Sequence, residues 1–156
     1  MAKLGVGLDV GTMNFVSARY TPNGTEYKRV KDAYIDLDVE NTKTLSMSGI
    51  DFVRFEEQSD VVVLGDKSFQ MANLFKQEVK RPLSQGLISP GALKAQHVLN
   101  LLVKNVLEDP MEKNEHCFYS VPADPLDLPD QDVKFHQSLF SQIISDRGFT
   151  PHTERK

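Results

Sequence analysis

The stretch Leu8-Asp9-Val10-Gly11-Thr12-Met13-Asn14 decides the fold of this chain. It joins two apolar runs of β-type residues, one on each side. Two such runs separated by a few Gly, Thr and Asn residues predict a β-hairpin. The turn also suits a phosphate, because Gly11 lets backbone N–H groups approach closely and Thr12 offers a hydroxyl. Asp9 can hold a magnesium ion through water.

The same turn also has an ordinary interpretation, since Asp, Gly, Thr and Asn are common turn residues. Dinucleotide-binding and P-loop motifs do not fit. The glycines at positions 5, 7 and 11 do not match G-x-G-x-x-G, and no Gly-Lys-Ser/Thr sequence follows. The next segment is strand-like rather than helical. The turn alone therefore leaves a plain hairpin and a phosphate loop both open.

Composition narrows the class of protein. The 156 residues are 40% hydrophobic, which suits one globular domain. No apolar run is long enough to span a bilayer and no signal peptide is visible, which predicts a cytoplasmic protein. The single Cys117 excludes an intrachain disulfide framework and a multi-cysteine zinc site. The net charge is −4 with scattered Lys and Arg, so nothing predicts binding to nucleic acid or an anionic membrane.

Strand signals dominate the next part of the chain. A turn is predicted at 21–25, and residues 26–29 fit a strand or a loop. Period-two alternation predicts a strand at 33–39, whereas 40–49 is polar and weakly patterned. A second hairpin is predicted around the polar residues 57–60.

Helix signals then alternate with one strand. A helical pattern runs from residue 66 to about 79 and ends before a proline. Ser89-Pro90 predicts the start of a helix that runs to about residue 107. A short strand at 117–121 is followed by a loop and by a last helix over 132–147, with Gly148 after its end. The order predicts a mixed α/β chain, antiparallel strands followed by α-β-α.

Four motifs in this order resemble the actin-like ATPases, which include actin, the heat-shock chaperone ATPases and the bacterial filament proteins MreB, ParM and FtsA. Residues 9–14 look like the first phosphate motif of the family in its MreB form. Residues 63–66 resemble its Val-Gly-x-x-Ala helix start, and 81–88 are similar to an MreB run, Arg-Pro-Leu/Met-x-x-Gly-Val-Ile. Residues 119–123 sit where the family has a strand ending in Val-Pro. The matches cover nearly the whole chain.

The resemblance implies an RNase-H-like actin-fold core with a small inserted subdomain. Residues 1–38 and 83–150 would form a core like subdomain IA, and 39–82 an insert like subdomain IB. Residues 151–156 would be a tail. Known members place a second phosphate loop, an adenosine-binding motif and a water-polarising Glu or Gln after the last helix. We therefore expect a fold that is incomplete at the C-terminus, as in a fragment, a truncated product or a half-molecule that needs a partner.

The resemblance also implies a site for ATP or ADP with Mg²⁺. Asp9 would approach the magnesium shell through water, and the backbone of Gly11 and Thr12 would touch the terminal phosphates. Asn14 would lie at the edge of the loop. No catalytic residue is assigned, because phosphoryl transfer depends mostly on positioning and charge stabilisation. Nucleotide binding by this chain alone is expected to be weak or absent.

The leading hypothesis is the N-terminal half of a filament-forming actin-like ATPase that turns over ATP poorly or not at all alone. One alternative is a non-catalytic half-domain that acts as a scaffold or filament partner. Another is a fragment of a sugar or acetate kinase. Such a kinase would be expected to have an insert rich in Trp, His and Asn, whereas this chain has no Trp. An uncovered sheet edge and bare helix faces predict marginal stability, self-association or binding to the missing C-terminal half.

The remaining candidates fit structural roles better. The histidines show no metal-ligand spacing and are expected at the surface or satisfied in the core; they are His97, His116, His136 and His152. Cys117 opens an apolar strand, which favours a buried structural thiol over a nucleophile. The acidic strand at 36–40 predicts an exposed face. Lys80-Arg81 is either a surface pair or a pair that approaches the terminal phosphate.

Four aspartates near the start of the last helix raise the question of calcium; they are Asp124, Asp127, Asp130 and Asp132. The loop lacks the glycine and the terminal Glu of an EF-hand, and prolines interrupt it. A solvated loop with a helix N-cap is therefore the preferred interpretation.

Overall fold

The computed structural model describes residues 5–55, 60–83, 87–88, 91–122 and 131–155. The strands in these ranges are β1 (Val6–Val10), β2 (Asn14–Thr21), β3 (Gly24–Lys31), β4 (Tyr34–Asp38), β5 (Val53–Arg54), β6 (Asp60–Leu64), β7 (Glu115–Val121) and β8 (Phe149–Arg155). The α-helices are α1 (Thr42–Met47), α2 (Asp66–Phe75), α3 (Leu93–Leu107) and α4 (Gln131–Asp146), and a short 3-10 helix, Val39–Asn41, leads into α1.

The larger sheet has the strand order β3-β2-β1-β7-β8. β1, β2 and β3 are antiparallel neighbours, whereas β1, β7 and β8 run parallel. The predicted first hairpin is confirmed, with Val10 opposite Phe15 at its closed end. A second tight turn places Thr21 opposite Gly24, so that residues 26–29 lie in β3.

One face of the larger sheet carries the main core. The buried side chains belong to every second residue of a strand, such as Val6 and Leu8 on β1 and Cys117 and Tyr119 on β7. Helix α3 packs against β2 and β3, and α4 packs against β7 and β8. Burying a large apolar side chain contributes about 2 kcal/mol, so the apolar stripes of these two helices hold the sheet in place.

A row of side chains crosses the opposite face. The strand registers place Tyr27, Ala18, Gly7, Phe118 and His152 side by side on five successive strands. Tyr27 and Phe118 are exposed, and the Phe118 ring stacks on the His152 ring with centroids 4.7 Å apart. We call these five residues the aromatic row. Large side chains at its two ends flank small ones in its middle.

The smaller sheet is antiparallel with the order β4-β6-β5. The predicted second hairpin is confirmed by the pairing of β5 with β6, and residues 56–59, between these strands, lie outside the described residues. Both faces of this sheet are buried. Tyr34 and Val62 belong to the main core, and Ile35 and Val63 belong to a second core that includes Leu45 of α1 and Met71 of α2. The smaller sheet is therefore shared by two cores.

The position of β4 corrects the expectation that residues up to 38 belong to the core sheet. The strand predicted at 33–39 exists, but it pairs with β6 in the smaller sheet. The third strand of the larger sheet is instead β3, whose side chains are mostly exposed. Without a buried face, β3 lacks the apolar alternation that marks a strand in sequence. The change of sheet falls between Lys31 and Tyr34.

The acidic strand is another correction, because Asp36 does not lie on an exposed face. Its side chain is mostly buried and pairs with Lys80 at 2.7 Å and with Lys94. Lys94 also pairs with Asp60 at 2.8 Å. Since Lys94 belongs to α3, these ion pairs join the smaller sheet to a helix of the main core. Asp38, at the end of the strand, is exposed as predicted.

The helices differ from expectation at their ends. Helix α1 lies in the polar stretch where no element was predicted. Helix α2 ends at Phe75 rather than near residue 79. Lys76 adopts a left-handed conformation with φ 53°, and its N–H bonds the Ala72 carbonyl, which terminates the helix.

The two later helices were predicted correctly as elements. Helix α3 begins at Leu93, and its predicted start at Ser89-Pro90 lies outside the described residues. Helix α4 covers nearly the predicted range. Gly148 follows it with φ 92°, a conformation that favours glycine.

Strand β8 corrects the expected tail and the expected bare edge of β7. Residues 149–155 form a strand parallel to β7, with Pro151 opposite Cys117. A proline has no N–H to donate and in sequence argues against a central strand. β8 is the outer strand of the sheet, where proline is tolerated. The edge of β7 is therefore covered.

Candidate functional site

The turn between β1 and β2 is tight and needs glycine at its first position. The Gly11 N–H donates to the Asn14 carbonyl at 3.1 Å, which closes the turn. A Cβ atom on Gly11 would lie 2.6 Å from that same carbonyl oxygen, far inside van der Waals contact. Thr12 and Met13 at the tip are exposed. We call residues 11–13 the turn loop.

Asp9 stands beside the turn loop with its carboxylate held by Ser120. The Ser120 hydroxyl donates to Asp9 Oδ1 at 2.9 Å and accepts from the Val10 N–H at 2.9 Å. Asp9 is exposed near the end of β1, and Ser120 lies near the end of the parallel strand β7. The carboxyl ends of parallel strands are where ligands bind in α/β sheets. The hydroxyl thus orients a solvent-facing carboxylate at that edge.

Asn14 lies on the same face of the sheet as Asp9. Asp9 is opposite Val16 in the hairpin, and side chains two residues apart on a strand share a face. The Asn14 Oδ1 atom is buried and has no hydrogen-bond partner among the described residues. An unpaired buried amide oxygen costs free energy unless it meets a donor. All four residues predicted for the site are therefore brought to one end of the first hairpin.

Arg81 ties the turn loop to the end of β3. Its Nη1 atom donates to the Thr12 carbonyl at 3.1 Å and to the Asp32 carbonyl at 3.3 Å. The Asp32 N–H in turn donates to the Met13 carbonyl at 2.9 Å. Of the predicted Lys80-Arg81 pair, Arg81 contacts the loop, whereas Lys80 pairs with Asp36.

Asp32 is a buried carboxyl group next to this contact. Its side chain is fully buried, and neither carboxyl oxygen has a hydrogen-bond partner among the described residues. Burial raises the pKa of Asp32 to about 7, and the positive charge of Arg81 limits the increase. The group can therefore change its charge near neutral pH.

The other sequence candidates have structural roles. The Cys117 thiol is buried, and burial raises its pKa to about 12. His136 is fully buried, and the His97 ring lies 5.9 Å from the Phe55 ring. His116 Nδ1 and His152 Nε2 are 2.7 Å apart. In the described part of the chain no three His, Cys, Asp or Glu side chains are grouped to hold a metal ion.

Asp124, Asp127 and Asp130 lie outside the described residues, as does the side chain of Asp132.

The model of the Volactin family matches residues 4–154. The chain belongs to the Volactin family. A comparison with curated protein sequences found no significant match.

Two solved structures show the fold of this Volactin-family chain. The double helical filament of MamK superposes with a TM-score of 0.60 at 18% identity over 97% of this chain. MreB 5 of Spiroplasma citri bound to AMPPNP superposes with a TM-score of 0.56 at 14% identity over 99% of this chain. These two superpositions show that the chain has an actin-like fold. It spans 40% and 39% of the length of those two chains.

None of the helices among the described residues is long and apolar enough to cross a membrane.

Proposed function

We propose that the turn loop binds the terminal phosphates of ATP or ADP, with Mg²⁺ beside Asp9. The observation that carries this proposal is the closure of a glycine turn next to a carboxylate that Ser120 orients. Backbone N–H groups in such turns suit phosphate oxygens. The edge of the sheet at which the turn lies is the usual ligand edge of α/β folds. The AMPPNP bound to MreB 5 is a nucleotide of the same class.

Each residue has a role in this proposal. Thr12 presents its backbone N–H and its hydroxyl to the phosphate, and Gly11, whose own N–H closes the turn, lets the backbone approach closely. Asp9 holds Mg²⁺ through water, and the ion neutralises phosphate charge when it is bound. Asn14 sits at the edge of the loop with a buried amide oxygen that still needs a donor. Ser120 keeps the Asp9 carboxylate in position.

Isothermal titration with Mg²⁺ and ADP or ATP tests the site. Gly11→Ala is expected to weaken binding at least about tenfold, because distorting a pre-formed site commonly costs more than 1.4 kcal/mol. Asp9→Asn is expected to remove the Mg²⁺ dependence of binding. Asp51→Asn, which changes an exposed carboxylate shortly before β5, is the matched control. Binding to wild type is expected to be weak, so the titration is run at high nucleotide concentration. Wild-type protein that then binds no nucleotide with Mg²⁺, or Gly11→Ala that binds like wild type, would refute the proposal.

We further propose that the protein assembles into filaments as an actin-like ATPase. The support is the fold shared with MamK, which was solved as a double helical filament. ATP hydrolysis by this chain alone is not expected, since it spans 40% of the length of the MamK chain, and the actin-like ATPases that the sequence resembles have a second phosphate loop after the last helix. Sedimentation with and without ATP, together with phosphate release, checks both parts.

The subdomain division is also a proposal. We place residues 5–32 and 81–155 in a unit like subdomain IA, and 33–80 in a unit like subdomain IB. The support is the change of sheet between β3 and β4 and the return to the main core after Lys80, which bridges Tyr34.

A non-catalytic interaction module is the second candidate. The aromatic row favours it, because exposed Tyr27 and Phe118 side chains with small residues between them form a surface suited to protein contact. Light scattering on Phe118→Ser and wild type discriminates the two candidates. Association that weakens in the variant and ignores nucleotide supports the module. Association that requires ATP supports the filament ATPase.

A further inference from the structure

Arg81 fixes the orientation of one peptide group in the turn loop. Its guanidinium holds the Thr12 carbonyl at 3.1 Å. In a trans peptide the carbonyl and the following N–H point in opposite directions, and the described chain has no cis peptide. The Arg81 contact therefore fixes the direction of the Met13 N–H. This group is one of the backbone donors that the turn loop can offer to a phosphate.

The charge of the same guanidinium acts on the Asp32 carboxyl group, to which no described group donates a hydrogen bond. Asp32 is bonded through its backbone to both Arg81 and Met13. Its two carboxyl oxygens are buried without a hydrogen-bond partner among the described residues. The guanidinium contacts the Asp32 carbonyl at 3.3 Å, and its charge limits the rise that burial causes in the pKa of the Asp32 carboxyl group, so a change of rotamer is the movement that would join the two groups.

Two acceptors thus compete for Arg81. Hydrogen bonds from a guanidinium to a carboxylate are roughly twice as strong as those to a neutral carbonyl. A buried carboxylate without a partner is costly, which adds to its attraction for Arg81. Arg81 is the charged group that acts on Asp32 within the described chain. The ammonium of neighbouring Lys31 is directed elsewhere, 5.0 Å above the Phe69 ring.

We propose that Asp32 is a positioning residue that controls the turn loop through Arg81. The neutral acid leaves Arg81 on the Thr12 carbonyl, and the carboxylate draws Arg81 away and frees the Thr12–Met13 peptide. Nucleotide affinity then falls when Asp32 ionises, an effect that rests on the nucleotide site proposed above. Because the pKa of Asp32 is raised to about 7, the change takes place near neutral pH.

The first test observes the loop without nucleotide. In the ¹⁵N-labelled full chain, the amide signals of Gly11 and Met13 are followed from about pH 5 to about pH 9. We expect a common midpoint near 7 in wild type and no such titration in Asp32→Asn. Arg81→Gln should uncouple the loop signals from Asp32. Lys80→Gln should retain the titration, because Lys80 pairs with Asp36.

The second test measures Mg²⁺–ADP affinity in the same variants over the same pH range. Wild type should lose roughly two- to tenfold in affinity relative to Asp32→Asn as pH rises, the effect of about one net hydrogen bond. Protonation of the nucleotide changes the affinity of wild type and of Asp32→Asn equally, so it cancels in the ratio of the two affinities.

The outcomes of the two tests separate this inference from the proposed function. Loop signals that follow Asp32 in a chain that binds no nucleotide support the control by Asp32 and overturn the nucleotide site. Nucleotide binding with loop signals that titrate identically in wild type and Asp32→Asn overturns the control by Asp32. Arg81→Gln with the wild-type loop titration also overturns it, because Asp32 would then act without Arg81.

Discussion

Two buried titratable side chains affect the stability of this protein in opposite directions below neutral pH. Burial raises the pKa of Asp32 to about 7 and lowers the pKa of His136 to about 4. Between the unfolded and folded pKa values, folded Asp32 keeps a proton that the unfolded chain loses, so its contribution to stability falls as pH rises towards 7. Folded His136 stays neutral, so its contribution is complete above its unfolded pKa and is lost as pH falls towards 4.

We therefore predict that the two contributions largely cancel in wild type between about pH 4 and about pH 7. In Asp32→Asn only the His136 contribution remains. The free energy of unfolding of this variant should therefore rise by roughly 3 kcal/mol as pH increases over that range, whereas that of wild type stays nearly constant. In His136→Leu only the Asp32 contribution remains, so the free energy of unfolding should fall by roughly 4 kcal/mol as pH increases over the same range. Urea unfolding at a series of pH values measures both. Parallel profiles for wild type and the two variants would contradict the prediction.

At the level of single residues, the sequence revealed the turn of the site but not which distant side chains contact it. Asp9, Gly11, Thr12 and Asn14 were found because a turn has a local signature. Ser120 donates to Asp9 across a sequence separation of 111 residues, and Arg81 reaches Thr12 across 69. Contacts of this kind depend on strand pairing between distant elements, and no local pattern marks them.

At the level of elements, close packing of β1 against β7 predicts unequal effects for two glycines, Gly5 just before β1 and Gly7 within it. A Cβ atom on Gly5 would lie 2.5 Å from the backbone oxygen of His116, whereas one on Gly7 would lie 3.9 Å from its nearest neighbour. Gly5→Ala must separate the parallel strands and is expected to cost about 1–3 kcal/mol, and Gly7→Ala little. The loss corresponds to roughly 3 °C in Tm per kcal/mol. Equal melting temperatures for the two variants would show that β1 and β7 can separate freely.

The ion pairs around Asp36 predict a second effect between elements. Asp36→Ala leaves Lys80 and Lys94 without their shared partner. The expected cost is about 2 kcal/mol, between the values for surface and buried pairs. Salt should lower the stability of wild type more than that of the variant, because it screens the pairs. Thermal melts at low and high salt measure this, with Asp38→Ala, an exposed carboxylate on the same strand, as control. A loss in Asp38→Ala as large as in Asp36→Ala would count against the ion pairs.

The elements that sequence analysis missed, or left open between strand and loop as it did β3, are those without an apolar periodicity. β3 is mostly exposed, and α1 has six residues of which Leu45 alone is buried. β8 was expected to be a tail, and it contains Pro151, which an outer strand accepts. By contrast, α3, α4 and β7 were found because each buries a regular stripe of apolar side chains. The assignment of β4 to a sheet depended on pairing, which the period of its side chains does not encode.

At the level of the whole molecule, the shared sheet predicts that the two cores unfold together. β4 and β6 place Tyr34 and Val62 in the main core and Ile35 and Val63 in the second core. Neither core can lose its packing without disturbing the same two strands. Methyl NMR signals of Leu45 in the second core and Leu99 in the main core should therefore disappear at one urea concentration. Separate midpoints would mean that the smaller sheet and the second core fold independently of the main core.

Because strands β4 and β6 have side chains in two cores, their residues are under a double constraint during evolution. A substitution at Val62 is selected by the fit to the main core, and one at Val61 or Val63 by the fit to the second core. Helix α1 and the segment after it face the second core on one side only, with Met47 exposed. Among relatives, insertions and deletions should therefore accumulate around residues 46–52, whereas the two shared strands should keep their length.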